Sequence, residues 1–224
     1  MRSNTASEQQ QEALHTSRRQ FLQLAGGIAG AGLLISSCKK VTPASTIFVG
    51  SGDRALLNYL LIVAEVQTNF YTQAAHTEYY GCTAMELEFL KDLRDEHLAH
   101  KEWLKAILTT GAIPDIVTDL SAVTFADRNS TLNHAIVFED IATGAYNGAL
   151  QYFSDTSYIS ALSKIASVEG RHAAYVRDVL TPNSFGDSTV ISTSGLDQAL
   201  TPKTVMTLLA PYIQTTFDAS QLPA

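Results

Sequence analysis

The stretch IASVEGRHAAYVRDVL, residues 165–180, has the spacing of a helix buried along one face, yet it carries two groups such a face should not hold. In steps of three and four, and extended one turn back, it gives Leu162, Ile165, Glu169, His172, Val176 and Val179. That is the apolar line by which a helix packs in a bundle. Glu169 and His172 stand at its centre, one turn apart, where Leu or Ile would be ordinary. Burying a charge without a partner costs on the order of several kcal/mol, so these groups must satisfy one another or share an ion.

Three more stretches read the same way. Residues 83–108 give Leu90, Leu93, His97, His100, Leu104 and Ile107. Residues 130–153 give Leu132, Ala135, Glu139, Ala142, Tyr146, Ala149 and Phe153. Residues 53–79 give Leu57, Leu60, Ala64, Gln67, Tyr71 and Ala74, with Asp53 read as the cap. The helix predicted over 157–180 completes four helices of about two dozen residues each. Gly111 and Pro114 stop the second, and a long connection through Asp127 separates it from the third. One long crossover predicts an all-α, ferritin-like four-helix bundle. Pro202, following Thr201, starts a short C-terminal helix expected over residues 202–213.

Ionisable groups thus lie level at the centre of three predicted helices. Inward Glu and Glu-x-x-His groups are how bundles hold di-iron and di-manganese centres. Mixed imidazole and carboxylate donors suit iron, one ion or two, with manganese or zinc as alternatives, and a buried ion-pair cluster without metal is the competing reading. The candidate ligands are His97, His100, Glu139, Glu169 and His172, with Glu65 and Glu96 as flanking candidates. Glu65 lies one residue out of register with its stripe, and Glu96 lies one turn before His100. EHLAH, residues 96–100, is not a zinc-protease motif, which needs His-Glu-x-x-His with the histidines four apart. Tyr71 and Tyr146 read as packing residues with satisfied hydroxyls.

The N-terminal stretch SRRQFLQLAGGIAGAGLLISSC pairs Arg18 and Arg19 ahead of a short Ala/Gly/Leu segment, the layout of a twin-arginine export signal. ISSC resembles a lipobox, which makes Cys38 the expected lipidation site and leaves Cys82 without a disulfide partner. The expected organisation is a signal over 1–37, a lipid-anchored linker over 38–52, the bundle over 53–181 and a C-terminal extension over 182–224. The expected location is the extracytoplasmic or periplasmic face of a membrane. A net charge of −7 without a basic stripe argues against nucleic acid as a partner. A homodimer is left open.

Several stretches resemble a known family. VFEDIATGAYNGAL and IASVEGRHAAYVRDVL are similar to the third and fourth helices of the bacterial ferritin-like domain family, desiccation-related type. LLNYLLIVAEVQTNFY resembles its first helix, GAIP the start of its crossover, and TPKTVMTLLAPYI its C-terminal helix. The resemblance implies a bundle related to di-iron proteins, with His100, Glu139, Glu169 and His172 in ligand positions. It also implies an inward Glu on the first helix, where this chain has Ala64 and Gln67, and a Glu on the second helix where it has His97. Two functions follow as alternatives. One is a membrane-tethered metal-binding protein, oxidase- or peroxidase-like, linked to stress or oxidant handling. The other is an envelope protein that keeps the bundle for stability or partner binding after losing the di-metal site.

Overall fold

The computed structural model describes residues 46–224, so the expected signal, Cys38 and the linker up to residue 45 lie outside the described residues. A two-residue strand, β1 (Ile47–Phe48), leads into α1 (Asp53–Thr77) and α2 (Ala84–Leu108). After the crossover come α3 (Arg128–Ala149), α4 (Thr156–Leu180), α5 (Pro202–Leu209) and β2 (Phe217–Asp218). The helix starts follow their caps. Thr83 and Glu86 form a reciprocal capping box at α2, and Asp127, Asp155 and Thr201 accept from backbone N–H groups in the first turns of α3, α4 and α5. The expected cap of α1 differs. Asp53 is the first helical residue, and its carboxylate accepts instead from the N–H groups of Ser154 and Asp155, fastening the α3–α4 turn to the start of α1. The short C-terminal helix ends at Leu209 rather than Ile213, because Pro211 turns the chain through a tight 3-10 turn, Ala210–Tyr212.

The crossover travels the whole length of α1. Near the start of α1, Asn58 donates to the carbonyls of Val49 and Gly111 and accepts from the N–H of Ile113. Two turns on, Glu65 accepts from the N–H of Ile116 at 2.8 Å, and Asn69 donates to Thr118. Beyond the far end of α1 the N–H of Tyr80 bonds the carbonyl of Ala126. A connection buried against a helix leaves backbone donors and acceptors that water cannot reach, and these polar side chains satisfy them. The chain therefore returns to the end where α2 began, and α3 runs parallel to α2. This is the ferritin-like arrangement expected from the sequence.

The C-terminal segment binds the bundle from outside. The N–H of Leu200 donates to the carbonyl of Gly144 at 2.8 Å, and Asn147 donates to the carbonyl of Gln198. Gly144 and Gly148, one turn apart, permit that approach, since a Cβ at Gly148 would lie 1.8 Å from the Leu200 carbonyl oxygen. Farther on, the N–H of Asp119 donates to the carbonyl of Tyr212 and the N–H of Gln214 to that of Val117, joining the crossover to the segment before β2, which pairs in parallel with β1. Among the described residues no helix is long and apolar enough to cross a membrane.

Candidate metal centre

Each helix of the bundle delivers polar side chains to one level of the interior. From α2 come His97, fully buried, and His100 and Glu96 nearer the surface; from α3 comes Glu139; from α4 come Glu169 and His172; from α1 comes Gln67. Glu139, Glu169 and His97 have no solvent exposure at all. One potential ligand atom from each of His97, Glu139, Glu169 and His172 falls within 4.8 Å of the others. Donors about 2.0–2.2 Å from a common ion are separated by up to about 4.4 Å, so four such atoms could close on one metal with small movements.

The hydrogen bonds sort the cluster into layers. His97 Nε2 lies 2.9 Å from Glu139 Oε1, and His100 Nδ1 lies 2.8 Å from Glu169 Oε1. His172 Nε2 pairs with Glu96 Oε2 across the α2–α4 gap. Gln67 Nε2 donates to both carboxylates, to Glu169 Oε2 at 3.0 Å and to Glu139 Oε2 at 3.3 Å. Of the three remaining imidazole nitrogens, Nδ1 of His97 and Nδ1 of His172 are buried and have no hydrogen-bond partner among the described residues. Each faces a carboxylate oxygen, at 3.7 Å from Glu169 and 3.8 Å from Glu139 respectively. With Glu96 accepting from Nε2–H of His172, its Nδ1 carries the lone pair and points inward. A carboxylate that orients a histidine through its outer nitrogen is the usual support of a metal-binding imidazole.

Electrostatics separate the two buried carboxyls. Burial, reinforced by the neighbouring Glu169 charge, pushes Glu139 well above the ordinary carboxyl range. Burial would push Glu169 up too, but His97, His100 and His172 around it hold it well below that range. Burial lowers His97, against the pull of Glu169 and Glu96. Two carboxyls that share one buried site take opposed affinities for the proton, because the second charge is disfavoured beside the first. Tyr71 stacks on the His97 ring at 5.0 Å between centroids, and burial followed by the Glu139 charge drives its phenol upward. Tyr146 is fully buried beside Glu169, and its hydroxyl has no hydrogen-bond partner among the described residues, unlike the satisfied hydroxyl expected from the sequence.

The structure brings His97, His100, Glu139, Glu169 and His172 together, and Glu96 joins them through His172. It does not bring in Glu65. On α1 residues 65 and 67 project about 200° apart, so with Gln67 facing the cluster Glu65 faces the crossover. There it meets the N–H of Ile116 and, at 3.5 Å, Lys105. His97 lies in the interior, and Glu96, the flanking candidate beside it, lies at the rim. The part of Gln67 was not foreseen, although its place on the α1 stripe was the available signal.

No curated protein matches the chain closely enough to extend these observations. The ferritin-like domain family matches residues 52–182, from the residue before α1 to just past the end of α4, and so takes in every member of the cluster. The chain belongs to the ferritin-like domain family.

Proposed function

We propose that this protein binds a transition-metal ion in the bundle interior, and that it does so as an envelope protein tethered to a membrane through Cys38. The observation that carries the reading is the pair of buried, unbonded Nδ1 atoms on His97 and His172, set against two buried carboxylates. A buried polar nitrogen without a partner costs about 1–3 kcal/mol, and an ion removes that cost at both sites. The donor set, two imidazoles and two carboxylates, suits iron, with manganese and zinc as alternatives. Bound iron or manganese supplies redox chemistry towards oxygen or peroxide, which supports a part in oxidant or stress handling.

The residues divide the work. His97, His172, Glu139 and Glu169 would hold the ion, while Glu96 orients His172 and His100 fixes Glu169. Burial favours the protonated form of Glu139 over that of an ordinary carboxyl. The tether reading rests on Arg18, Arg19 and the ISSC stretch ending at Cys38. The test is the metal content of protein purified without added metal, beside the Glu169→Ala/His172→Ala double variant. Near-stoichiometric metal in the first and none in the second is expected. Equal, sub-stoichiometric metal in both would favour a bundle kept for structure or partner binding.

A further inference from the structure

Building on that metal-binding reading, we infer that the site takes a single divalent cation rather than a pair, and that Gln67 sets this limit. A carboxylate that bridges two ions spends one oxygen on each. Here Gln67 Nε2 donates to Oε2 of Glu139 and to Oε2 of Glu169, so one oxygen of each carboxylate is already engaged by an amide N–H. Glu139 Oε1 is bonded to His97 Nε2 and Glu169 Oε1 to His100 Nδ1, while the unbonded Nδ1 atoms of His97 and His172 face Glu169 Oε1 and Glu139 Oε2 respectively. Each carboxylate therefore offers one oxygen to one ion.

Charge points the same way. With neutral imidazoles, the two ionised carboxylates balance one divalent ion. A second ion would leave two positive charges uncompensated where Glu139, Glu169 and His97 have no exposure to water. The third carboxylate, Glu96, does not make up the difference. It lies at the rim with 18% of its side chain exposed, and it is bonded to the outer nitrogen of His172, on the far side of that ring from Glu139. An amide at position 67 keeps the two carboxylates together by donating to both, and it adds no negative charge for a second cation. The Gln67 carbonyl oxygen is buried without a hydrogen bond among the described residues, whose contacts hold the side chain by its donor end.

The inference is tested on the full chain, stripped with chelator and titrated with Mn2+ alone. The readouts are calorimetric stoichiometry, metal content after desalting, and the electron paramagnetic resonance spectrum. The expected result is one ion per chain with the spectrum of an isolated ion. Gln67→Glu should raise the stoichiometry to two and give the spectrum of an exchange-coupled pair. Two ions per chain in the unaltered protein would overturn the inference, whether or not the variant folds. One ion in a folded Gln67→Glu protein would overturn the part given to Gln67. Absence of any tight Mn2+ binding in the unaltered protein would instead overturn the metal-binding reading on which the inference stands.

Discussion

Replacing Gly148 by Ala opposes two effects whose sizes are known separately. In the last turn of α3 the change from Gly to Ala favours the helix by at most about 1 kcal/mol. The new Cβ, however, would lie 1.8 Å from the carbonyl oxygen of Leu200, 2.7 Å from its carbon and 2.9 Å from its nitrogen. All three are backbone atoms, so no rotamer change relieves the contact. Residues 198–200 must lift away, losing the Leu200-to-Gly144 and Asn147-to-Gln198 hydrogen bonds at about 1 kcal/mol each, together with packing on the helix. Overpacking of this kind costs about 1–3 kcal/mol or more, so the net loss should be about 2 kcal/mol, or a midpoint lower by about 4–8 °C for a protein of this size. Gly144→Ala is the control. Its Cβ would meet only the Leu200 side chain, Cγ at 2.7 Å and Cδ1 at 2.8 Å, which can turn aside. It should be neutral within about 1 kcal/mol, and Leu200→Ala should rescue any loss it shows but not that of Gly148→Ala. Urea denaturation followed by circular dichroism, with chelator present throughout, gives all four values. A Gly148→Ala protein as stable as the parent would refute the placement of this segment against α3.

Asn58→Ala removes the acceptor of one backbone N–H and the donor to two carbonyls, two of the three bonds being fully buried. A loss of about 3 kcal/mol is expected in the same denaturation assay, and a loss below about 1 kcal/mol would contradict the view that Asn58 ties the crossover to α1. Burial holds the Glu65 carboxyl above its ordinary range, against the Ile116 N–H and the nearby lysines. Its contribution to folding is therefore complete below the unfolded carboxyl value, about 4.3, and is lost as pH rises through the folded value. Glu65→Gln should accordingly gain stability relative to the parent between about pH 4 and 8; a parent that gains on the variant over that range would contradict the sign. Glu96→Ala leaves the proposed ligands in place but frees the outer nitrogen of His172, so metal affinity should fall about 10- to 100-fold by competition titration, with stoichiometry unchanged.

Periodicity made α2, α4 and the first half of α3 readable because each buries one face, so His97, Glu139, Glu169 and His172 stood out against Leu, Ile and Ala, although α3 is buried without a break from Ile141 to Tyr146. It served less well for α1, which is wrapped by α2, α3 and the crossover and is buried nearly all round, from Ala55 to Thr68 without a break. In such a helix the pattern cannot say which polar residue faces the site. Glu65 and Gln67 are both buried, and only the path of residues 112–118 shows that Glu65 belongs to the crossover. Glu96 and His97 posed the opposite difficulty. Consecutive residues on a helix are about 100° apart, and a site that spreads from the interior to the α2–α4 gap can use both. The course of residues 181–200 has no periodic signal, and only the structure shows that it crosses α3 at Gly144 and Gly148.

In the proposed site four side chains close on one ion. Anomalous diffraction from crystals grown with Mn2+ or iron tests this most directly. Such a site predicts one peak inside the bundle, about 2.0–2.2 Å from a donor atom of each of His97, Glu139, Glu169 and His172, with Glu96 bonded to His172 and outside the first coordination sphere. Crystals that show a metal only at the protein surface, or a peak that Glu96 and His100 hold in place of His97 and Glu139, would contradict it.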